Sequence, residues 1–205
     1  MGSTTSGEKN GGFKLKYNAP VTLTFAIICL AVLGLDYLSK GKTTMEFFSV
    51  YRSKLSIAWF VRLFGHSLGH IDFNHLFGNM TLFLLLGPIL EEKYGARNLI
   101  EMIAICSVIE SIVQIIFIPK VALLGASGVV FMMIIVASAV NLKEGDGIPI
   151  TMILVILVYL GKEVWAQFAV HDNVSHITHI VGGLCGAFFG FAYSRASINK
   201  RLEKK

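Results

Sequence analysis

The chain has 205 residues, of which 54% are hydrophobic and only 15% are charged, and its formal net charge is +5. A soluble domain of this size does not need so many apolar residues, so the composition excludes an ordinary water-soluble fold and predicts a polytopic membrane protein. The lysines and arginines lie mainly between and after the apolar runs, as in the flanks of membrane helices. They give no reason to expect nucleic acid as a partner.

The apolar runs predict a single all-α bundle of six transmembrane helices. Residues 1–16 are polar and rich in glycine and serine near the start, and we predict a disordered tail there. We predict one helical membrane domain over residues 17–195 and a basic tail over 196–205. The six predicted spans cover residues 21–38, 73–90, 99–118, 127–140, 148–170 and 175–190.

The connection between the first two spans, Ser39 to Arg62, is long for so small a bundle. Its aromatic and aliphatic residues are interrupted by charges, so no part of it could cross a bilayer. We predict that it lies in the membrane interface. A connection of this length usually has a function.

The positions of the basic residues predict the orientation of the bundle. Six spans place both termini on one side, and that side carries most of the lysines and arginines. Cytoplasmic segments are enriched in these residues, so we predict an integral protein of the cell membrane with both termini in the cytoplasm. The histidine-rich helix starts would then open to the external side.

Ser127 begins the fourth apolar run and lies between Gly125 and Gly128. A serine at a helix start is often only an N-cap. Free N–H groups and the positive end of the helix dipole also stabilise an oxyanion, so Ser127 is a candidate nucleophile that needs a base. The run is about 22 Å long against a hydrocarbon core of about 30 Å, which places the serine below the membrane surface.

The sixth apolar run has a glycine at every fourth position: Gly182, Gly186 and Gly190. Such a row of small residues allows two membrane helices to pack closely. His179 precedes the row by three residues and lies on the same face. We predict that the fourth span packs there and that Ser127 comes within hydrogen-bond reach of His179 as its base.

Two smaller expectations follow from this row of glycines. Because small-residue faces tolerate alanine, Gly186→Ala should be milder than Gly186→Leu. Cys185 is a control position on the same helix if its side chain faces lipid, in which case Cys185→Leu would have little effect.

His75 and Asn79 are four residues apart at the start of the second span, so they share a helix face. Both side chains donate hydrogen bonds, and two donors near the serine would complement its backbone N–H groups in binding an oxyanion. A polar pair in a membrane helix more often joins helices. In combination with Ser127 and His179, the pair favours a catalytic site.

As an ordered set, these residues resemble the rhomboid intramembrane serine proteases. The matching stretches are His75-x-x-x-Asn79, Gly125-Ala126-Ser127-Gly128, His179-x-x-Gly182-x-x-x-Gly186 and Gly87-x-x-x-Glu91. The resemblance covers about residues 17–195 and includes the six-span layout with a long first loop. It implies a Ser127–His179 catalytic dyad, an oxyanion site at His75 and Asn79, no metal or other cofactor, and transmembrane proteins as substrates.

The sequence departs from the family pattern in two places. Val61 stands where the family often has a tryptophan before the arginine, and Phe131 stands where a tyrosine often follows the nucleophile. Phe131 can stack on His179 but has no hydroxyl group. Asp172 precedes His179 by one to two turns and is a doubtful third member of a triad. A dyad without a carboxylate has a weaker base, which is consistent with slow turnover.

Two other functions remain open from the sequence. Five histidines near one membrane side could form a metal site, although there is no His-Glu-x-x-His motif and no carboxylate within the closely spaced histidine pairs. They are His66, His70, His75, His176 and His179. The chain could also be an inactive rhomboid-like protein that binds membrane clients, although such a protein has no need of Ser127 and His179.

Overall fold

The computed structural model describes residues 17–140, 150–169 and 176–202, which form a helical bundle. The predicted N-terminal tail and Asp172 lie outside these residues. Within them there is no β-strand, and Val50 and Leu123 form an isolated antiparallel bridge. The helices are α1 (Pro20–Leu38), α2 (Lys42–Phe47), α3 (Ile57–Gly65), α4 (Phe73–Tyr94), α5 (Ala96–Phe117), α6 (Ser127–Ser138), α7 (Ile150–Ala169) and α8 (His176–Leu202), with a 3₁₀ turn (His66–Leu68) after α3.

The predicted all-α bundle is confirmed. Helices α1 and α4 to α7 match the predicted spans to within a few residues, whereas α8 continues well past residue 190. Among the described residues, α1, α4 and α5 are long and apolar enough to cross a membrane, and α6 is a shorter apolar helix. The count of six spans stays a prediction. The last helix continues to Leu202, so the first part of the predicted basic tail is helical. Residues 196–202 contain neither glycine nor proline, so no residue there interrupts the helix.

The long first connection folds into α2 and α3 around a buried arginine. The Arg62 Nε donates to the carbonyl of Glu46 at 2.6 Å, and its Nη1 donates to the Ser53 hydroxyl at 3.2 Å. The guanidinium also lies 4.4 Å from the centre of the Tyr51 ring. Arg62 thus holds both halves of the connection together, and we refer to residues 39–72 as the first loop.

Hydrogen bonds of α5 hold the neighbouring loop segments against the bundle. Ser111 donates to the carbonyl of Leu63 at 3.0 Å, and the ring of His66 hydrogen-bonds through Nε2 to the carbonyl of Ser107 at 3.0 Å. The Gln114 amide donates to the carbonyl of Val121 at 2.9 Å, just beyond the helix. Polar side chains deep within the predicted third span, Glu110 and Gln114, are expected from the sequence to face the interior. Both are almost fully buried, which confirms this prediction.

The start of α1 is attached to the end of α4 through Glu91. Its carboxylate accepts hydrogen bonds from the backbone N–H groups of Val21 and Thr22, both at 3.0 Å, and from the Thr22 hydroxyl at 2.9 Å. Gly87, one turn earlier, contacts the Thr22 side chain so closely that a Cβ there would overlap it. A side chain from α4 therefore satisfies N–H groups that the first turn of α1 cannot satisfy itself.

Replacing Glu91 by alanine should destabilise the protein by about 3 kcal/mol or more, because buried donors of Thr22 lose their acceptor. Thermal unfolding in detergent measures this loss. The matched control is Glu92→Ala, since Glu92 is the next residue on α4 and its side chain is exposed. Equal unfolding temperatures for the two variants would contradict the role of Glu91.

The row of glycines on α8 packs against α6, as predicted. A Cβ at Gly182 would overlap the carbonyl oxygen of Gly128, and a Cβ at Gly190 would lie 2.9 Å from the Cβ of Ala139. Between them, a Cβ at Gly186 would lie only 2.5 Å from the Met132 carbonyl oxygen. The two helices are therefore in close contact at three successive glycines, which positions the start of α6 against the start of α8.

The reason given for the first expectation is wrong: this face does not tolerate alanine at Gly186, because its Cβ would meet backbone that belongs to α6 rather than a flexible side chain. Gly186→Ala should therefore cause a loss, although a milder one than Gly186→Leu. The condition for the second expectation is not met. Cys185 does not face lipid: its side chain is 8% exposed and lies beside Cys106 of α5. The neighbouring Leu184 is 60% exposed. A row of glycines predicts which face of a helix packs closely against a neighbour. It does not predict whether a further helix also covers the adjoining face.

Candidate active site

Ser127 is the first residue of α6, and its side chain is directed at another helix. The residue in the N-cap position is Ala126, which provides no side-chain cap. Gly125 has a φ of +111°, a backbone conformation that residues with a side chain rarely adopt. The chain therefore turns sharply just before Ser127. The N-cap interpretation of Ser127 is wrong.

His179 lies in the first turn of α8 and contacts Ser127 directly. The distance between the His179 Nε2 and the Ser127 Oγ is 2.8 Å. With the imidazole proton on Nδ1, Nε2 accepts the serine hydroxyl proton, which is the geometry of a general base and its nucleophile. Phe131, one turn after the serine, stacks on the imidazole with ring centres 4.6 Å apart and planes inclined by 7°.

His75 and Asn79 lie over Gly125, in the turn that precedes Ser127. A Cβ at Gly125 would lie 2.7 Å from the Nε2 of His75 and 3.6 Å from the Nδ2 of Asn79. Only glycine allows both side chains to approach the backbone this closely. The structure thus brings all four predicted site residues together around one turn of the chain.

The Asn79 amide has a free donor. Its Nδ2 is buried and has no hydrogen-bond partner among the residues that the structure describes. A buried N–H group without an acceptor is costly and requires an explanation. An anionic oxygen formed beside Ser127 is an acceptor that this donor could bind.

The first loop holds the segment that precedes Ser127, which sequence reasoning did not find. The N–H of Gly125 donates to the carbonyl of His66 at 2.9 Å. Val50 and Leu123 exchange backbone hydrogen bonds of 2.8 and 2.9 Å. These contacts join backbone atoms of residues more than fifty positions apart, so no pattern of side chains in the sequence indicates them. The apolar character of residues 121–124, followed by Gly125, is the signal that the sequence offers.

His66 and His70 support the site and stay neutral near pH 7. Burial lowers the pKa of His66 to about 4, although its hydrogen bond to Ser107 acts in the opposite direction. Burial, with a smaller contribution from nearby His75, lowers the pKa of His70 to about 4 as well. The ring centres of His70 and His75 are 5.1 Å apart, edge to face. His70 thus packs against the side chain that lies over Gly125.

The histidines do not form a set of metal ligands in the described part of the chain. No three side chains of His, Cys, Asp or Glu there converge closely enough to hold a metal ion. The His66 Nε2 is engaged with the backbone of α5, and His176 contacts the ring of His179 edge to face with centres 6.2 Å apart.

The fold and the site together define a helical membrane protein in which a serine and a histidine from two closely packed helices form a hydrogen-bonded pair. The family model described as the Rhomboid domain matches residues 58–196, and the chain belongs to the rhomboid family. It is similar to Rhomboid-related protein 1 of Caenorhabditis elegans, with 29% identity over 157 residues. The aligned region covers 72% of this chain and 43% of that protein, so the chain spans less than half of its relative.

Proposed function

We propose that the chain is an intramembrane serine endopeptidase that hydrolyses peptide bonds in or near the transmembrane segments of other membrane proteins. The observation that carries the proposal is the 2.8 Å contact between the Ser127 Oγ and the His179 Nε2. Membership of the rhomboid family supports it. A protein that only binds membrane clients has no use for a nucleophile held against a base.

In the proposed reaction, His179 takes the proton of the Ser127 hydroxyl as the oxygen attacks the substrate carbonyl. The negative charge that develops on the carbonyl oxygen is stabilised by His75, by the free amide of Asn79 and by N–H groups at the start of α6. His179 then gives its proton to the leaving amine, and water hydrolyses the acyl-enzyme with His179 again acting as the base. Stacking on Phe131 keeps the imidazole in position.

We also propose an orientation with both termini in the cytoplasm and the site open to the external side. The excess of lysine and arginine on the side of the termini supports this. The site residues of α6 and α8 both lie at the starts of these helices, which supports a site that opens to one side of the membrane.

A fluorophosphonate probe tests the nucleophile without knowledge of the natural substrate. The purified protein in detergent should be labelled on Ser127, as identified by peptide mapping, and cleavage of a generic transmembrane substrate should be lost in parallel. Chelators should leave the cleavage rate unchanged. A protein that binds the transmembrane segment but neither reacts with the probe nor cleaves would be a client-binding member of the family, and a chelator-sensitive activity would indicate a metal site.

Removing either oxyanion donor should reduce turnover without abolishing it. We expect His75→Ala and Asn79→Ala to lower kcat by about ten- to a thousandfold, with a smaller change in KM, since one of several donors is lost. Steady-state kinetics on the transmembrane substrate measure both constants. Asn74→Ala is the matched control, because Asn74 is exposed on the same turn. Unchanged kcat in Asn79→Ala would mean that its free amide does not bind the oxyanion.

A further inference from the structure

Glu110 is a buried carboxylic acid that the proposed reaction does not use. It lies in the middle of α5, and only 1% of its surface is exposed. Its Oε1 is 3.0 Å from the Sγ of Cys106, which donates to it from one turn earlier on the same helix. An ionisable side chain inside a membrane bundle is expensive to bury, so its presence there calls for a functional reason.

The carboxyl group of Glu110 lies against Gly128, the residue that follows Ser127. A Cβ at Gly128 would overlap the Oε1 of Glu110 and lie 2.7 Å from its Oε2. On another side of the same residue, the carbonyl oxygen of Gly128 contacts Gly182 of α8. The first turn of α6 is therefore held between α5 and α8 at the position next to the serine.

We propose that Glu110 is a positioning residue for Ser127: its carboxyl group fills the space beside Gly128 and fixes the start of α6 against α5. This inference rests on the proposed function. His179 belongs to α8, so a shift of the first turn of α6 changes the distance between Ser127 and its base. A displacement of about 1 Å in such a pair can cost about a hundredfold in rate.

In this proposal the Glu110 side chain acts by filling space and not by transferring a proton, and two variants distinguish these roles. Glu110→Gln keeps the size of the side chain and should retain most of the activity, with a pH profile that matches the unmodified protein. Glu110→Ala leaves a space beside Gly128 and should lower kcat more than KM. A shifted pH profile in Glu110→Gln would mean that the carboxyl group exchanges protons in the reaction, and the proposal would be wrong.

A double-variant cycle tests the contact itself. Gly128→Ala should lower kcat by about ten- to a hundredfold, because the enclosed carboxyl group must move or push the start of α6 away. Adding Glu110→Ala makes room for the new methyl group, so the double variant should be more active than Gly128→Ala alone. Two controls should leave kcat unchanged: Gly34→Ala, where a Cβ meets nothing within 4 Å, and Glu101→Ala, which removes a half-buried carboxylate on α5 that pairs with Arg97.

Thermal unfolding of the same variants distinguishes the failure of this inference from the failure of the proposed function. The double variant should also have a higher unfolding temperature than Gly128→Ala alone. This measurement does not depend on enzymatic activity. If Ser127 proves unreactive in the unmodified protein, the proposed function fails and the positioning role falls with it. If Ser127 is the nucleophile but Gly128→Ala is equally harmful with and without the Glu110 side chain, the protease stands and the role of Glu110 is wrong.

Discussion

Ser127→Ala and His179→Ala should each lower the rate of substrate cleavage by about 10⁴-fold or more while leaving the protein folded. Each variant removes at most an imidazole from the packing of the bundle. Each also removes one half of the hydrogen bond through which, in the proposed reaction, the hydroxyl loses its proton. The double variant should be no slower than either single one, because two residues that act as a unit are non-additive. Initial rates and unfolding temperatures measure both expectations.

Ser138→Ala is the matched control for the serine. Ser138 ends the same helix, and its hydroxyl group donates to the carbonyl of Ile135 at 2.6 Å, far from the site. This variant should cleave at the normal rate. Substantial cleavage by Ser127→Ala would contradict the proposed function, and an additive loss in the double variant would mean that the two residues act separately.

Gly186→Leu should lower the rate of substrate cleavage by about a hundredfold or more and should also lower the unfolding temperature. The first added carbon already lies 2.5 Å from the Met132 carbonyl oxygen and 2.9 Å from the Ile135 Cβ. The rest of the leucine side chain must push α8 away from α6, and this movement separates His179 from Ser127. Gly186→Ala should show the same loss to a smaller degree, because its single carbon already requires a backbone shift.

The control for added volume is Ala192→Leu. Ala192 lies on the same helix as Gly186, and its side chain is exposed to the surroundings of the bundle. This variant should keep the activity and the unfolding temperature of the unmodified protein. Full activity and stability in Gly186→Leu would show that α6 and α8 do not pack in the way described.

The features that the sequence predicted are those that depend on local periodicity. The positions of the apolar runs predicted the helices. The three-residue spacing between His179 and Gly182 predicted that the histidine lies on the face that contacts α6. The spacing of His75 and Asn79 likewise predicted a shared face, and both side chains lie over Gly125. Each of these arguments needs only the geometry of one helix.

The features that the sequence did not predict depend on which elements are neighbours. The bridge between Val50 and Leu123 joins two irregular segments through backbone atoms, and such contacts leave no side-chain pattern. Cys185 is buried because α5 also approaches α8, beyond the glycine face. The sequence indicated that Glu110 faces the interior, but its contact with Gly128 depends on the relative height of two helices. Periodicity within each helix cannot fix that height.

The separation of Ser127 and His179 along the chain has a consequence for biosynthesis. The two residues are 52 positions apart, and the histidine belongs to the last helix of the described chain. A nascent chain that has been synthesised only as far as α6 already contains the serine, but not the histidine that we propose as its base. In the proposed mechanism, hydrolysis therefore requires that α8 has been made and has docked against α6.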